Sequence, residues 1–197
     1  MRVVDLVQGS EEWLRWKKHR IGGTLASTLM GHPYESPETV WQSFNYDTPI
    51  DNKNAAMRHG NEYEAQARKA LETHVEEQFT PICGALEDYD FVSVSLDGIS
   101  NDGKIIAEIK CPFNPVMFFN QIKKIPYYYY SQVQHALLVT GAELCCFWSW
   151  YKGQHALHLI YPNNTFQTEM LAREFYFYSC FLRKETPDFG RFSKINI

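Results

Sequence analysis

Phe91-Val92-Ser93-Val94-Ser95-Leu96-Asp97-Gly98-Ile99, then Asn101-Asp102-Gly103, then Lys104-Ile105-Ile106-Ala107-Glu108-Ile109-Lys110-Cys111 is the stretch that decides the reading of this chain. Both flanking runs alternate as strands do. In the first, Val92, Val94 and Leu96 share one face, and Ser93, Ser95 and Asp97 the other. In the second, Ile105, Ala107, Ile109 and Cys111 share one face, and Ile106, Glu108 and Lys110 the other. Asp-Gly between two such runs signals a two-residue hairpin turn. A turn at Asp102-Gly103 pairs Asn101 with Lys104 and, counting back, sets Asp97 opposite Glu108. Directly opposed residues share a face, with Cβ atoms roughly 5 Å apart. Lys110 lies on that face too, about 7 Å further at ~3.4 Å per residue.

Two opposed carboxylates repel and weaken a sheet. A divalent cation between them removes the repulsion, and Mg²⁺ takes one or two protein carboxylates together with waters and phosphate oxygens. Lys110 places positive charge where a phosphodiester gains negative charge on reacting. Taken alone, an Asp…Glu-x-Lys pattern suits a solvated surface hairpin equally well. The strand–turn–strand setting favours a metal-dependent phosphodiesterase site.

Length and composition bound the rest. A chain of 197 residues is most simply one domain, residues 1 to 197, with a substantial core. Net charge is −4, which excludes a uniformly basic coat, so any nucleic-acid contact must come from local positive surface. Arg15-Trp16-Lys17-Lys18-His19-Arg20 is the densest such stretch, and a solvated helix face explains Arg15, Lys17 and Lys18 as well. The five cysteines are odd in number and contain no Cys-x-x-Cys, which suits reduced thiols in a cytoplasmic protein. Cys111 falls on the apolar side of its strand and reads as packing. No signal-peptide pattern opens the chain, and no apolar run reaches about 18 residues.

Helices are expected over residues 11–20 with Ser10 as N-cap, over 24–30, and from Ser36-Pro37-Glu38 onward. Residues 48–54 read as a polar loop. A long helix is expected over 60–77. At about 100° per residue, Glu64 lies within about 20° of Leu71 on the apolar side, while Glu62 points to solvent. An inward Glu needs a partner. Arg68 at i+4 is one, and a metal at Asp97 and Glu108 is the other. A second helix over 127–140 turns Tyr130, Val133, Gln134, Leu137 and Leu138 inward and Gln132 away. Glu143–Trp150 and Gln154–Tyr161 read as a hairpin at Lys152-Gly153, followed by a helix over about 165–184. The sum is an α/β fold, a central mixed sheet flanked by helices.

Six segments in order resemble the phage lambda-type alkaline exonucleases, or YqaJ-type viral recombinases, within the PD-(D/E)xK nuclease superfamily. They are Gln8-Gly9-Ser10-x-x-Trp13; Arg20-Ile21-Gly22 with Ala26-Ser27; Gly60-x-x-Tyr63-Glu64; Ser95-Leu96-Asp97-Gly98; Glu108-Ile109-Lys110-Cys111-Pro112; and Gln132-Val133-Gln134. The likeness runs from about residue 8 to about 140. One departure is Leu96, where the family usually has Pro, on the face away from the chemistry.

The resemblance implies a restriction-endonuclease-like core. It also implies a 5′→3′ exonuclease that resects one strand of duplex DNA from an end. Such an enzyme releases 5′-mononucleotides and leaves a 3′ overhang for a single-strand annealing recombinase. It further implies two Mg²⁺ ions, or Mn²⁺, held by Asp97, Glu108, Glu64 and the Ile109 carbonyl, with Lys110 acting on the attacking water. A ring-shaped homotrimer, a phage or prophage source and a bacterial cytoplasmic location belong to the same implication. By this likeness Arg20, Ser27 and Ser95 bind the terminal 5′-phosphate, and strand parity independently puts Ser95 beside Asp97. Gln134 supports the site or touches DNA. Met57 is either an apolar wedge at the end base pair or a core Met. Two other functions use the same residues: a sequence-specific endonuclease, and a catalytically silent DNA-end binding subunit.

Overall fold

The computed structural model describes residues 1–45 and 55–195; the expected polar loop at 48–54 lies outside them. Six strands form one sheet in chain order: β1 (Arg2–Val4), β2 (Thr80–Leu86), β3 (Tyr89–Ile99), β4 (Ile105–Lys110), β5 (Leu144–Tyr151) and β6 (Gln154–Ile160). Neighbours are antiparallel except β4 and β5, which run parallel. A parallel pair needs a long crossover. Here it contains α5 (Pro115–Lys123) and α6 (Tyr127–Thr140). The sheet is therefore mixed, as expected from the sequence.

Helices cover both faces. On one side α6 packs over Val92, Val94, Leu96, Ile106, Cys145 and Phe147. Beyond it, α2 (Gly23–Leu29), α3 (Pro37–Asn45) and α7 (Asn164–Arg183) share a second cluster around Ile21, Leu29, Phe44, Phe166 and Phe177. On the other side α4 (Ala55–Val75) lays Ala67 and Leu71 against Ala107, Ile109, Cys146 and Trp148. No helix among the described residues is long and apolar enough to cross a membrane.

The hairpin keeps the expected register but not the expected turn. Gly98 faces Ala107 and Ile99 faces Ile106, the register that sets Asp97 toward Glu108. The turn, however, closes one residue earlier. The Gly103 amide donates to the Ser100 carbonyl at 3.0 Å, and Gly103 takes φ +74°. Asp102 Oδ1 accepts from Ser100 Oγ at 2.7 Å and from the Lys104 amide at 3.0 Å, so the Asp side chain organises a wider loop. The other hairpin turns at Lys152-Gly153 as expected, both residues at positive φ.

Strand parity holds only as far as Leu96. The β2–β3 register shifts between Ile82↔Leu96 and Thr80↔Ile99, which places one extra residue in β3. This bulge at Asp97-Gly98 carries Leu96 and Ile99 to the same core, together with Ile106. A Cβ on Gly98 would sit 2.6 Å from the Phe79 Cβ, so only glycine fits the close approach.

Helix ends differ in instructive ways. The first helix, α1, spans Glu11–Lys17 and stops short of Arg20, because His19 turns left-handed at φ +57°. Ser10 caps it by accepting the Trp13 amide at 3.1 Å. The long helix α4 begins at Ala55, ahead of Gly60, and carries that glycine in its interior at a cost of about 1 kcal/mol. The expected helix over 127–140 matches α6 residue for residue.

Candidate active site

Four elements, β3, β4, α4 and α6, meet where the β3–β4 ladder ends. Past Gly98↔Ala107 the backbone ladder between β3 and β4 stops, and the Asp97 side chain takes over. Its Oδ2 accepts the Ile109 amide at 2.7 Å. Glu108 and Lys110 lie on the α6 side of β4, and the Lys110 ammonium pairs with the Glu108 carboxylate. The same ammonium lies 4.9 Å from the centre of the Tyr129 ring, a cation–π contact supplied by α6. From the opposite face α4 brings Glu64. Arg68 Nη1 lies 3.4 Å from Glu64 Oε1 and donates to the Asp97 carbonyl at 2.8 Å. The i+4 partner considered for Glu64 therefore exists, and it also ties that carboxylate to the strand carrying Asp97.

The electrostatics follow from this crowding. Asp97 keeps some solvent contact, yet burial raises its carboxyl to about 8, with Glu108 and Glu64 raising it and Lys110 and the Ile109 amide opposing. Burial also raises Glu64, with Arg68 and Lys110 working against it. For Lys110 burial disfavours the charge, but Glu108 and Asp97 outweigh it and hold the ammonium above the ordinary lysine range. Cys111 is pushed up to about 12 by burial and then by Glu64 and Asp97, which leaves it a thiol and no nucleophile.

Oxygen donors dominate the site: Asp97, Glu108 and Glu64 lie close enough that, beyond burial, Glu108 raises the carboxyls of Asp97 and Glu64. Hard divalent cations select such donors. A carboxyl raised to about 8 by burial and neighbouring carboxylates marks surplus negative charge, which a cation would relieve. The donor set thus suits a hard divalent cation. Among the described residues no three acidic, His or Cys side chains already stand as a closed cage, since Glu108 is turned to Lys110 and Glu64 to Arg68.

The opening motif is explained by the bulge. Gln8 Nε2 donates to the Leu96 carbonyl at 2.8 Å, and Trp13 Nε1 donates to Ser95 Oγ at 2.8 Å. Gln8, Ser10 and Trp13 therefore clamp α1 onto the segment that presents Asp97. Ser95 keeps its own proton for another acceptor.

The other expected site residues each keep contacts of their own. Arg20 donates to the Asp90 carboxylate, to the Asp90 carbonyl at 3.1 Å and to the Trp16 carbonyl at 2.6 Å, at the far end of β3 from Asp97. Ser27 is fully buried in α2, and its hydroxyl has no hydrogen-bond partner among the described residues. Arg20, Ser27 and Ser95 share no hydrogen bond with one another among the described residues. Met57 lies in the first turn of α4 and is 52% exposed, which rules out the core alternative.

Gln134 requires a correction. It is inward-facing, but its amide donates to the Tyr161 carbonyl at 2.8 Å and accepts from the Asn163 amide at 2.8 Å. Both groups of its amide are thus engaged at the β6–α7 junction, and it is fully buried. Gln132, expected to point outward, packs against α2, where a Cβ on Gly23 would lie 3.6 Å from the Gln132 Cβ. Sequence reasoning missed Tyr129 as the partner of Lys110. Its four-tyrosine run was the available signal.

This geometry can now be set beside known proteins. The family model for the YqaJ-like viral recombinase domain matches residues 12–143. The chain belongs to that family. As a YqaJ-like domain it places its hairpin, α4 and α6 inside the matched region. Its fold resembles the alkaline exonuclease LHK-Exo from Laribacter hongkongensis, at 23% identity and TM-score 0.79 over 89% of this chain and 94% of that one. The same enzyme in complex with dAMP gives 22% and 0.80 over the same shares of the two chains. A phage related exonuclease from Haemophilus somnus 129PT gives 13% and 0.65, over 84% of this chain and 96% of that one. A comparison with curated proteins gives no match. The solved structures establish likeness of fold, and membership of the family supports a nuclease role.

Proposed function

We propose that this YqaJ-like domain is a metal-dependent deoxyribonuclease that resects one strand of duplex DNA 5′→3′ from an end. It releases 5′-mononucleotides and leaves a 3′ overhang for a single-strand annealing partner. The observation that carries the proposal is the convergence of Asp97, Glu108 and Glu64 around Lys110 where the hairpin ladder ends.

Asp97, Glu108, Glu64 and the Ile109 carbonyl would hold two Mg²⁺ or Mn²⁺ ions. Such ions, when bound, lower the pKa of a water and stabilise charge on phosphate oxygens. The chain's own groups do the rest. Lys110 offers a fixed positive charge toward the reacting phosphodiester, steadied by Glu108 and by the Tyr129 ring. Arg68 holds Glu64 and the Asp97 backbone in one geometry, which limits reorganisation as the phosphate gains charge. Ser27 and Ser95, both with hydroxyl protons to donate, are the proposed 5′-phosphate contacts, with Arg20 supplying the charge. A homotrimeric ring reconciles the net charge of −4 with DNA binding, because basic residues can line a channel while the outside stays acidic.

A sequence-specific endonuclease is the second reading. The observation that favours it is Arg20, which is engaged by Asp90 away from Ser95. One experiment separates the two. Linear duplexes with 5′-phosphate or 5′-hydroxyl ends, and a closed circular duplex, are incubated with Mg²⁺. Loss of nucleotides from linear DNA alone, faster from phosphorylated ends, supports the exonuclease. Cutting of the closed circle supports the endonuclease.

A further inference from the structure

A row of aromatic rings leads from Lys110 out to solvent. Tyr129, whose ring meets the Lys110 ammonium, lies 4.4 Å from Tyr128 between centroids. Tyr128 in turn lies 4.8 Å from His32 and 6.0 Å from Tyr34. Tyr34 is 83% exposed, so core packing does not account for it. The loop that carries it is nevertheless tied down. The Tyr34 amide donates to His32 Nδ1 at 3.1 Å, and Thr28 Oγ1 donates to the Glu35 carboxylate at 3.3 Å.

Tyr128 and His32 both favour their neutral forms. Burial, and next Tyr129, push the Tyr128 phenol to about 12, and burial lowers His32 below its ordinary value. A cation at one end and neutral flat rings at the other match a phosphate joined to a planar heteroaromatic ring. Every nucleobase has a π-face, so such stacking tolerates any sequence. His32, Tyr34 and Tyr128 form a small cluster, each ring edge-on or tilted to the other two, with Tyr34 as its exposed member.

We propose that His32, Tyr34 and Tyr128 form a stacking platform for the nucleobases beside the phosphodiester held at Lys110. The proposal rests on the nuclease reading of that site and adds base contacts to it.

The test uses the full chain in EDTA, where no cleavage interferes, and a duplex carrying 2-aminopurine in its 5′-terminal nucleotide. An otherwise identical duplex carries an abasic residue there. Stacking should quench the probe. The abasic duplex should bind about fivefold to 150-fold more weakly, the range for one stacked base. Tyr34→Ala should erase that difference and the quench, while Tyr34→Phe should keep both. Equal affinity for the two duplexes, or a quench that survives Tyr34→Ala, overturns the platform. The nuclease reading is judged separately, by digestion of linear duplex with Mg²⁺. Normal digestion without the base effect sinks only the platform, and stacking without digestion sinks only the nuclease.

Discussion

The carboxylate of Asp97 accepts the amide of Ile109, the residue between Glu108 and Lys110. A side chain thereby stands where a strand ladder would continue, and three elements of the motif are locked into one geometry. The arrangement stores a conflict, because Asp97 is raised to about 8 by burial and by neighbouring carboxylates.

The conflict gives the first prediction. A carboxyl raised in the folded state contributes stability below its ordinary value of 3.8, and loses it as pH rises toward about 8. In EDTA the wild-type melting temperature should fall across that window. Asp97→Asn should flatten the fall, and Mg²⁺ should restore stability to wild type only. Thermal melts across pH, with and without Mg²⁺, check this; an identical slope in the variant contradicts it.

Arg68 gives the second. Arg68→Ala leaves the Asp97 carbonyl without its donor and Glu64 without its cation. The loss in stability should be about 1–3 kcal/mol. Mg²⁺ affinity should drop roughly tenfold to a hundredfold, the cost typical of losing an outer-shell partner. Calorimetric titration with Mg²⁺ or Mn²⁺ measures it, and unchanged affinity would mean that Arg68 does not position the ligands.

How far the site was legible depends on which physical rule each residue obeys. Asp97, Glu108 and Lys110 could be placed because register follows from the hairpin, and Glu64 because helix angle follows from spacing. The bulge at Asp97-Gly98 could not, since the Phe79 side chain that closes over Gly98 lies far from it in sequence. Strand β2 shows no clear alternation because Pro81 and Gly84 break its pattern, and β1, at three residues, is too short to show one. In helix α5 Val116 and Phe119 are exposed while Phe118 is buried, so no amphipathic period shows; its Asn114 cap was the readable signal. Helical spacing turns Gln134 inward, but its partners there, Tyr161 and Asn163, are brought near only by the tertiary fold.

The third prediction concerns the buried pair under β3. His135 Nδ1 lies 2.9 Å from Glu174 Oε1 and Nε2 lies 2.8 Å from the Ser93 carbonyl. Both partners accept, so the ring needs a proton on each nitrogen. Burial opposes that charge, but Glu174 and Ser93 outweigh it and raise His135 above its ordinary 6.5. A raised histidine contributes stability that is full below 6.5 and lost as pH rises through the native value. Glu174→Gln should cost about 3–5 kcal/mol at pH 6 and flatten that dependence. Urea unfolding at several pH values decides it, and a variant as stable as wild type at pH 6 would refute the ion pair.

The fourth concerns the DNA end. If Arg20 holds the 5′-phosphate, wild type should prefer phosphorylated over hydroxyl ends by about tenfold to a hundredfold, the rate equivalent of a charge-assisted contact. Arg20→Ala should remove the preference and spare metal binding. An Arg20 that serves only Asp90 and the β3 end would instead lower stability with the preference intact, and the rate ratio for the two ends distinguishes these outcomes.

The central claim is that Lys110 acts on phosphodiesters beside metal-binding carboxylates. Its most direct test is nucleotide release from a linear duplex by wild type and by Lys110→Ala, with Mg²⁺ and with EDTA. Wild type should release mononucleotides only with Mg²⁺. Lys110→Ala should be slower by at least about a hundredfold while still binding DNA ends. Undiminished release in EDTA, or near wild-type turnover by Lys110→Ala, would contradict the assignment.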